Sequence, residues 1–228
     1  MPLILCIETS NDICSVSLSK SSQLINLQEN KRAKSHAESL NTSIIKLFEN
    51  TKYSLKDLSA IAISKGPGSY TGLRIGTSTA KGLCFALDIP LIGVDTLQAL
   101  TYAAIQKMPI DNALYMPMID ARRMEVYTAV YSQQLQLIMP TKALIITENS
   151  LNDYKEAAHI VVFGNGSDKC KTVLAQKNIL FIENIICSAQ NMVFLAYNLY
   201  RKNTFEDVAY FEPFYLKNFQ AKLKQNFK

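Results

Sequence analysis

Metal chemistry is the first question, and the chain has only His36 and His159 to offer imidazole. A helical ligand pair needs its second histidine four residues on, so that both nitrogens leave one face. Leu40 stands there instead, and no H-E-x-x-H occurs. No metal and no catalytic residue is therefore expected. Phosphate chemistry is the second question. It is raised by the loop Ser64-Lys65-Gly66-Pro67-Gly68-Ser69, which follows an apolar run and opens a helix. Backbone N–H groups at such a start attract anions. However, Lys65 precedes the glycines, so the G-x-x-x-x-G-K-[ST] spacing is missing. Gly66, Pro67 and Gly68 are read as a structural loop that presents backbone at close range, with Ser69 as N-cap.

A third candidate is the turn at Asp120, Arg122 and Arg123. One acid and two guanidinium groups at a hairpin tip either bridge to a carboxylate or phosphate of another molecule or form a solvated turn. Gly164-Asn165-Gly166 reads as a strand-to-helix turn or as the remnant of a nucleotide-facing loop.

The helix that positions the glycine loop carries Gly72, Gly76 and Ala80 every fourth residue, with Cys84 continuing the row. A bare face of this kind admits a second backbone closely. Glycine inside a helix costs about 1 kcal/mol against alanine, so Gly72, Gly76 and Gly82 require an offsetting gain. The face packs against the chain's own sheet or is offered to a partner protein.

Hydrophobic periodicity supplies the rest. Residues 3–9, 13–19 and 23–28 read as three strands in a meander, followed by an amphipathic helix over 35–49 with Ala37, Leu40, Ile44, Leu47 and Phe48 on one side. A strand at 60–64, the glycine helix, a strand at 90–94 and a helix from Thr96 complete the first half. The second half repeats the order: strands near 114–119, 124–131 and 134–139, a short helix near Asn149, a strand at 160–163, a helix after Ser167, a strand at 179–182 and a last helix from Ser188. Two βββαβαβα halves with mixed sheets are expected, divided as 1–108 and 109–228 with the seam at 107–112.

With 228 residues and 48% hydrophobic content, the chain has ample material for real cores. A net charge of +5 falls short of a dedicated nucleic-acid binder, and its short basic spots at Lys31, Arg32, Lys34, Lys222, Lys224 and Lys228 read as solvated surface. Five cysteines without C-x-x-C spacing fit a reducing compartment. No run reaches the length of a membrane span, so a cytoplasmic protein is expected.

Four stretches carry a resemblance: Ile7-Glu8-Thr9-Ser10, the run Gly66 to Gly76, Asp120-Ala121-Arg122-Arg123-Met124-Glu125-Val126-Tyr127, and Pro213-Phe214-Tyr215-Leu216-Lys217. Together they span nearly the whole sequence, which resembles the TsaB (YeaZ) family on an α/β, actin-like ATPase (ASKHA) scaffold. Glu8 departs from the aspartate such chains more often show. The resemblance implies an accessory subunit in tRNA threonylcarbamoyladenosine formation that binds a TsaD-like transferase. A TsaE-like ATPase would join the assembly, tRNA would be met through it, and a homodimer would form in the partner's absence. No cofactor is expected. Nucleotide hydrolysis on this scaffold uses a glycine hairpin in each half, and neither the turn after Glu8 nor the one after Asp120 contains glycine. Partner contacts are expected from Ser69, Tyr70, Gly72, Leu73, Arg74, Gly76, Ala80, His36, Leu40, Asp120, Arg122 and Arg123. The alternative is an autonomous ATP-dependent enzyme or metalloprotease of the same fold, and a third reading has the basic tail 221–228 touch tRNA.

Overall fold

Alternation along the first strand sets the layering. In β1 (Leu3–Glu8) every side chain is buried, with Leu3, Leu5 and Ile7 facing one layer and Ile4 and Cys6 the other. A strand covered on both faces reads as an unbroken apolar run, as this one does. Around it lie β2 (Cys14–Lys20), β3 (Gln23–Asn30), β4 (Ala60–Ser64) and β5 (Leu91–Val94), in the order β3-β2-β1-β4-β5. The first three pair antiparallel, while β1, β4 and β5 pair parallel. The computed structural model describes residues 1–31 and 36–217.

The second sheet repeats this topology with β6 (Ala113–Asp120), β7 (Glu125–Ser132), β8 (Leu137–Ile145), β9 (His159–Phe163) and β10 (Ile179–Ile182), in the order β10-β9-β6-β7-β8. β6, β7 and β8 pair antiparallel, and β6, β9 and β10 parallel. The duplication inferred from element order is thus present in the strands.

Helices reveal what periodicity alone does not. Leu40, Ile44 and Leu47 of α1 (His36–Phe48) and Ala80 and Cys84 of α2 (Tyr70–Leu87) cover one face of the first sheet. Leu97, Leu100 and Ala104 of α3 (Thr96–Lys107) pack instead on the second sheet, against Tyr115, Ala129 and Phe163. The last helix, α4 (Val193–Arg201), comes from the second half yet covers the first sheet, placing Val193, Leu195 and Ala196 against Ile4, Cys6 and Val94. Buried serines of β2 receive the chain just before it: Ala189 N–H donates to Ser15 Oγ at 3.0 Å, and Ser17 Oγ donates to Ala189 O at 3.0 Å. The seam at 107–112 therefore separates the sheets but not their coverings, which cross it in both directions.

Two helices expected in the second half are single 3-10 turns, at Asn152–Tyr154 and Asp168–Cys170. Each stretch contributes only a few core side chains, Leu151 in the first and Cys170 and Leu174 in the second. One turn is too short to repay helix nucleation beyond those contacts. β8 begins at Leu137, later than expected, because Leu135 adopts φ +60° in the preceding turn.

Beyond α4 the chain returns to the first sheet as a strap over residues 205–217. Glu206 N–H donates to Leu91 O at 2.9 Å, Phe211 enters the first core, and Phe214 N–H donates to Lys65 O at 2.6 Å. Lys81 Nζ of α2 holds the strap through the carbonyls of Ala209 at 3.0 Å and Phe211 at 3.2 Å.

Candidate interaction surface

The glycine loop is gripped by its own molecule. Gly66 has φ +109°, where a side chain is strained, and a Cβ there would stand 2.7 Å from Phe214 O. The Gly66–Pro67 peptide is cis. Ser69 N–H donates to Ser10 O at 2.6 Å, Gly66 N–H to Thr96 Oγ1 at 3.1 Å, and Gly72 N–H to the capping Ser69 Oγ at 3.3 Å. These three donors are spent inside the chain.

The row of small residues likewise faces inward. A Cβ on Gly72 would overlap the Thr9 carbonyl oxygen and lie 3.3 Å from its carbon, and one on Gly76 would overlap Thr9 Oγ1 and stand 2.9 Å from Ile63 Cδ1. Gly72, Leu73, Gly76 and Ala80 are all buried. The expectation that these four meet a partner is corrected: the end of β1 occupies the space beside Gly72 and Gly76, and Leu73 and Ala80 are fully buried. His36 and Leu40 are corrected with them. Both are buried, His36 with Nε2 bonded at 2.7 Å to Asn11 O and Leu40 in the first core.

What remains accessible is smaller and differently placed. Ser69 and Arg74 are exposed and Tyr70 is half-buried. Arg74 Nη1 donates to Tyr70 Oη at 3.5 Å, with its guanidinium 5.5 Å from the ring centre. Tyr215 of the strap lies against Tyr70, ring centres 4.7 Å apart. Arg122 and Arg123 are exposed at the β6–β7 turn, both in the left-handed region at φ +73° and +49°. Neither has an ion-pair partner among the described residues. Asp120 is committed to Lys169, and its Oδ1 accepts Arg122 N–H at 2.9 Å. Lys217 pairs with Glu125, tying the strap back to this hairpin.

On α2 the outward side was not singled out from sequence. Gly82 lies two residues past Ala80, about 200° round the helix, and a Cβ there would meet nothing within 4 Å. Its neighbours Ser78, Phe85 and Ala86 are exposed, Phe85 at 86%. On α1, which touches α2, Ile45 is 66% exposed. A helical wheel separates this side from the buried row. The sequence signal was therefore there, as a large aromatic placed opposite the core stripe.

Between the sheets, the two turns that flank the cleft are bonded to each other. Asn165 Nδ2 donates to Asn11 Oδ1 at 2.9 Å, and Asn165 Oδ1 accepts Asp120 N–H at 3.0 Å. Asn165→Ala removes both bonds and should lower stability by about 1–2 kcal/mol, read from urea unfolding midpoints. Glu8 is buried at the end of β1, where its Oε1 accepts Ser10 N–H at 2.7 Å and Ser64 Oγ–H at 2.9 Å. Burial pushes its carboxyl up, and those hydrogen bonds oppose the shift without cancelling it. The native state then holds a proton that the unfolded chain has released, so stability falls as pH rises above the ordinary carboxylate range. Glu8→Gln should flatten that decline as pH rises above the ordinary carboxylate range in urea titrations, and an unchanged slope would reject the assignment.

The family model described as "TsaD: tRNA N6-adenosine threonylcarbamoyltransferase" matches residues 26–225. The tRNA threonylcarbamoyladenosine biosynthesis protein TsaB of Buchnera aphidicola subsp. Schizaphis graminum is 33% identical over 187 residues, covering 78% of this chain and 88% of its own. The chain belongs to the TsaB family. YeaZ from Pseudomonas aeruginosa superposes with a TM-score of 0.82 at 25% identity, covering 95% of this chain and all of that one. The polyphosphate/ATP-glucomannokinase of an Arthrobacter strain, at TM-score 0.51 and 9% identity over 89% of this chain and all of its own, shares the fold alone. The α/β scaffold is thus actin-like, and the pathway of the TsaB family is tRNA threonylcarbamoyladenosine biosynthesis. No helix among the described residues is long and apolar enough to cross a membrane.

Proposed function

We propose that this TsaB-family chain is a non-catalytic subunit that docks onto a TsaD-like threonylcarbamoyltransferase and holds it in its working form. A TsaE-like ATPase joins the assembly, and tRNA is met through the complex, in the cytoplasm. The observation that carries the reading is the outward side of α2, where Phe85 stands exposed one turn from an open Gly82, together with Ile45 exposed on the adjoining α1. An exposed phenylalanine next to a helical glycine lets another helix approach closely while a large apolar group is buried. The internal use of the groups a reaction would need supports the non-catalytic part: Glu8 is bound by Ser10 and Ser64, Asp120 by Lys169, and Asn11 by Asn165.

Ser69, Tyr70 and Arg74 sit at the N-terminal end of the same helix and belong to this contact. Asp120, Arg122 and Arg123 are proposed as a second point of contact with the assembly. Alone, the chain should pair two-fold through the α1/α2 face, since a self-complementary patch closes as a dimer. Size-exclusion with light scattering on the purified chain, the TsaD-like protein and their mixture tests this. A joint species that replaces the homodimer is expected. Separate elution of the two proteins, or turnover of Mg-ATP or peptide by the chain alone, would overturn it. The basic tail, with Lys222, Lys224 and Lys228, lies outside the described residues.

A further inference from the structure

A groove of about 560 Å³ opens where the strap passes the carboxyl ends of β4 and β5 and meets β8. Its apolar walls are Pro140, Tyr210 and Phe214, with Tyr210 84% and Phe214 43% exposed. Together they leave open apolar area that a partner's side chain can cover. The charges beside them say which.

Glu206 is held at the groove by its backbone bond to Leu91, and its side chain lies over Gly93 of β5. A Cβ on Gly93 would overlap the carboxylate and stand 3.2 Å from its carbon. Glu212 lines the same groove. Among the described residues neither carboxylate has an ion-pair or hydrogen-bond partner. The third carboxylate, Asp95, differs: its Oδ1 accepts Gln98 N–H at 2.8 Å and Tyr131 Oη–H at 3.2 Å, and Lys65, which also lines the groove, stands nearby. Two unspent negative charges thus flank two exposed rings on a chain whose net charge is +5.

We infer that this groove is the docking site for an arginine side chain carried by a partner polypeptide. A guanidinium stacks flat on an aromatic ring while forking hydrogen bonds to a carboxylate, which matches Tyr210 and Phe214 beside Glu206 and Glu212. A lysine ammonium satisfies only the charge. A free small cation would leave most of both rings in water, whereas a polypeptide that presents the arginine covers them. Glu212 also lines a second hollow with Tyr70, Arg74 and Ser78 of α2, so the groove borders the helix proposed to dock, while the arginine inference rests on its own observations.

Titration of the ¹⁵N-labelled chain with the peptide Ac-Gly-Arg-Gly-NH₂ tests the inference. Saturable amide shifts are expected at Gly93, Tyr210 and Glu212. The citrulline peptide, equal in shape but uncharged, should give none, and the lysine peptide should bind several-fold more weakly. The double variant E206Q/E212Q should weaken arginine binding at least about tenfold while leaving the amide spectrum away from the groove unchanged. Absence of saturation, shifts centred elsewhere, equal response to citrulline or lysine, or full binding by the double variant would each overturn it.

Discussion

Gly72→Ala is expected to leave little folded protein. The added methyl would overlap the Thr9 carbonyl oxygen, a backbone atom at the end of the central strand that has no rotamer to yield. Helix α2 would have to lift, breaking the 2.6 Å bond from Ser69 N–H to Ser10 O and the packing of Gly76 on Thr9 and Ile63. A loss of at least about 3 kcal/mol follows for overpacking against an immovable neighbour, a large share of the roughly 5–15 kcal/mol that holds such a domain. Gly82→Ala is the matched control. It adds the same methyl to the same helix where nothing lies within 4 Å, and should gain up to about 1 kcal/mol of helix propensity. Urea midpoints followed by far-UV circular dichroism compare the two. Equal stability of both variants would mean that α2 is not pressed onto Thr9.

The second large effect concerns association. Gly82→Arg and Phe85→Glu both alter exposed positions on α2, so both should fold. Helices that pack at a glycine approach to about 8–10 Å, and an arginine there holds them apart. Phe85→Glu removes the largest exposed apolar group on that side and places an unpaired charge in the contact. Each variant should weaken binding to a TsaD-like transferase by at least about 2 kcal/mol, roughly thirtyfold, in calorimetric titration. Native-like circular dichroism with lost binding supports the proposed face. Wild-type affinity in both variants would remove this face from the assembly.

Much of the scaffold was legible before any coordinates. Residues 3–8 and 60–64 are apolar on both sides and flanked by turn residues, which is how a strand covered from both faces reads. α1 and α2 announced themselves by spacing and, for α2, by the Ser69 cap. The stretches at 149–157 and 167–175 misled because a few apolar residues at helical spacing suffice for a single turn packed on a sheet. The late start of β8 has a similar cause. It is an edge strand with an exposed side, so its alternation is weak, and Leu135, an apolar residue in a left-handed turn, reads as part of it.

The family, the two-sheet plan and the bare row Gly72-Gly76-Ala80 were written in the order of the residues, because strand alternation, helix spacing and glycine placement are local properties. Which side of α2 is hidden was decided only in three dimensions. A glycine row looks the same whether a partner's backbone or the chain's own Thr9 fills it, and only the path of β1 beneath the helix distinguishes the two. The same holds for the exchange of α3 and α4 between the sheets and for Glu206 reaching across β5 to Gly93. Each joins residues far apart in the chain, and no periodicity within either segment encodes where the other will lie.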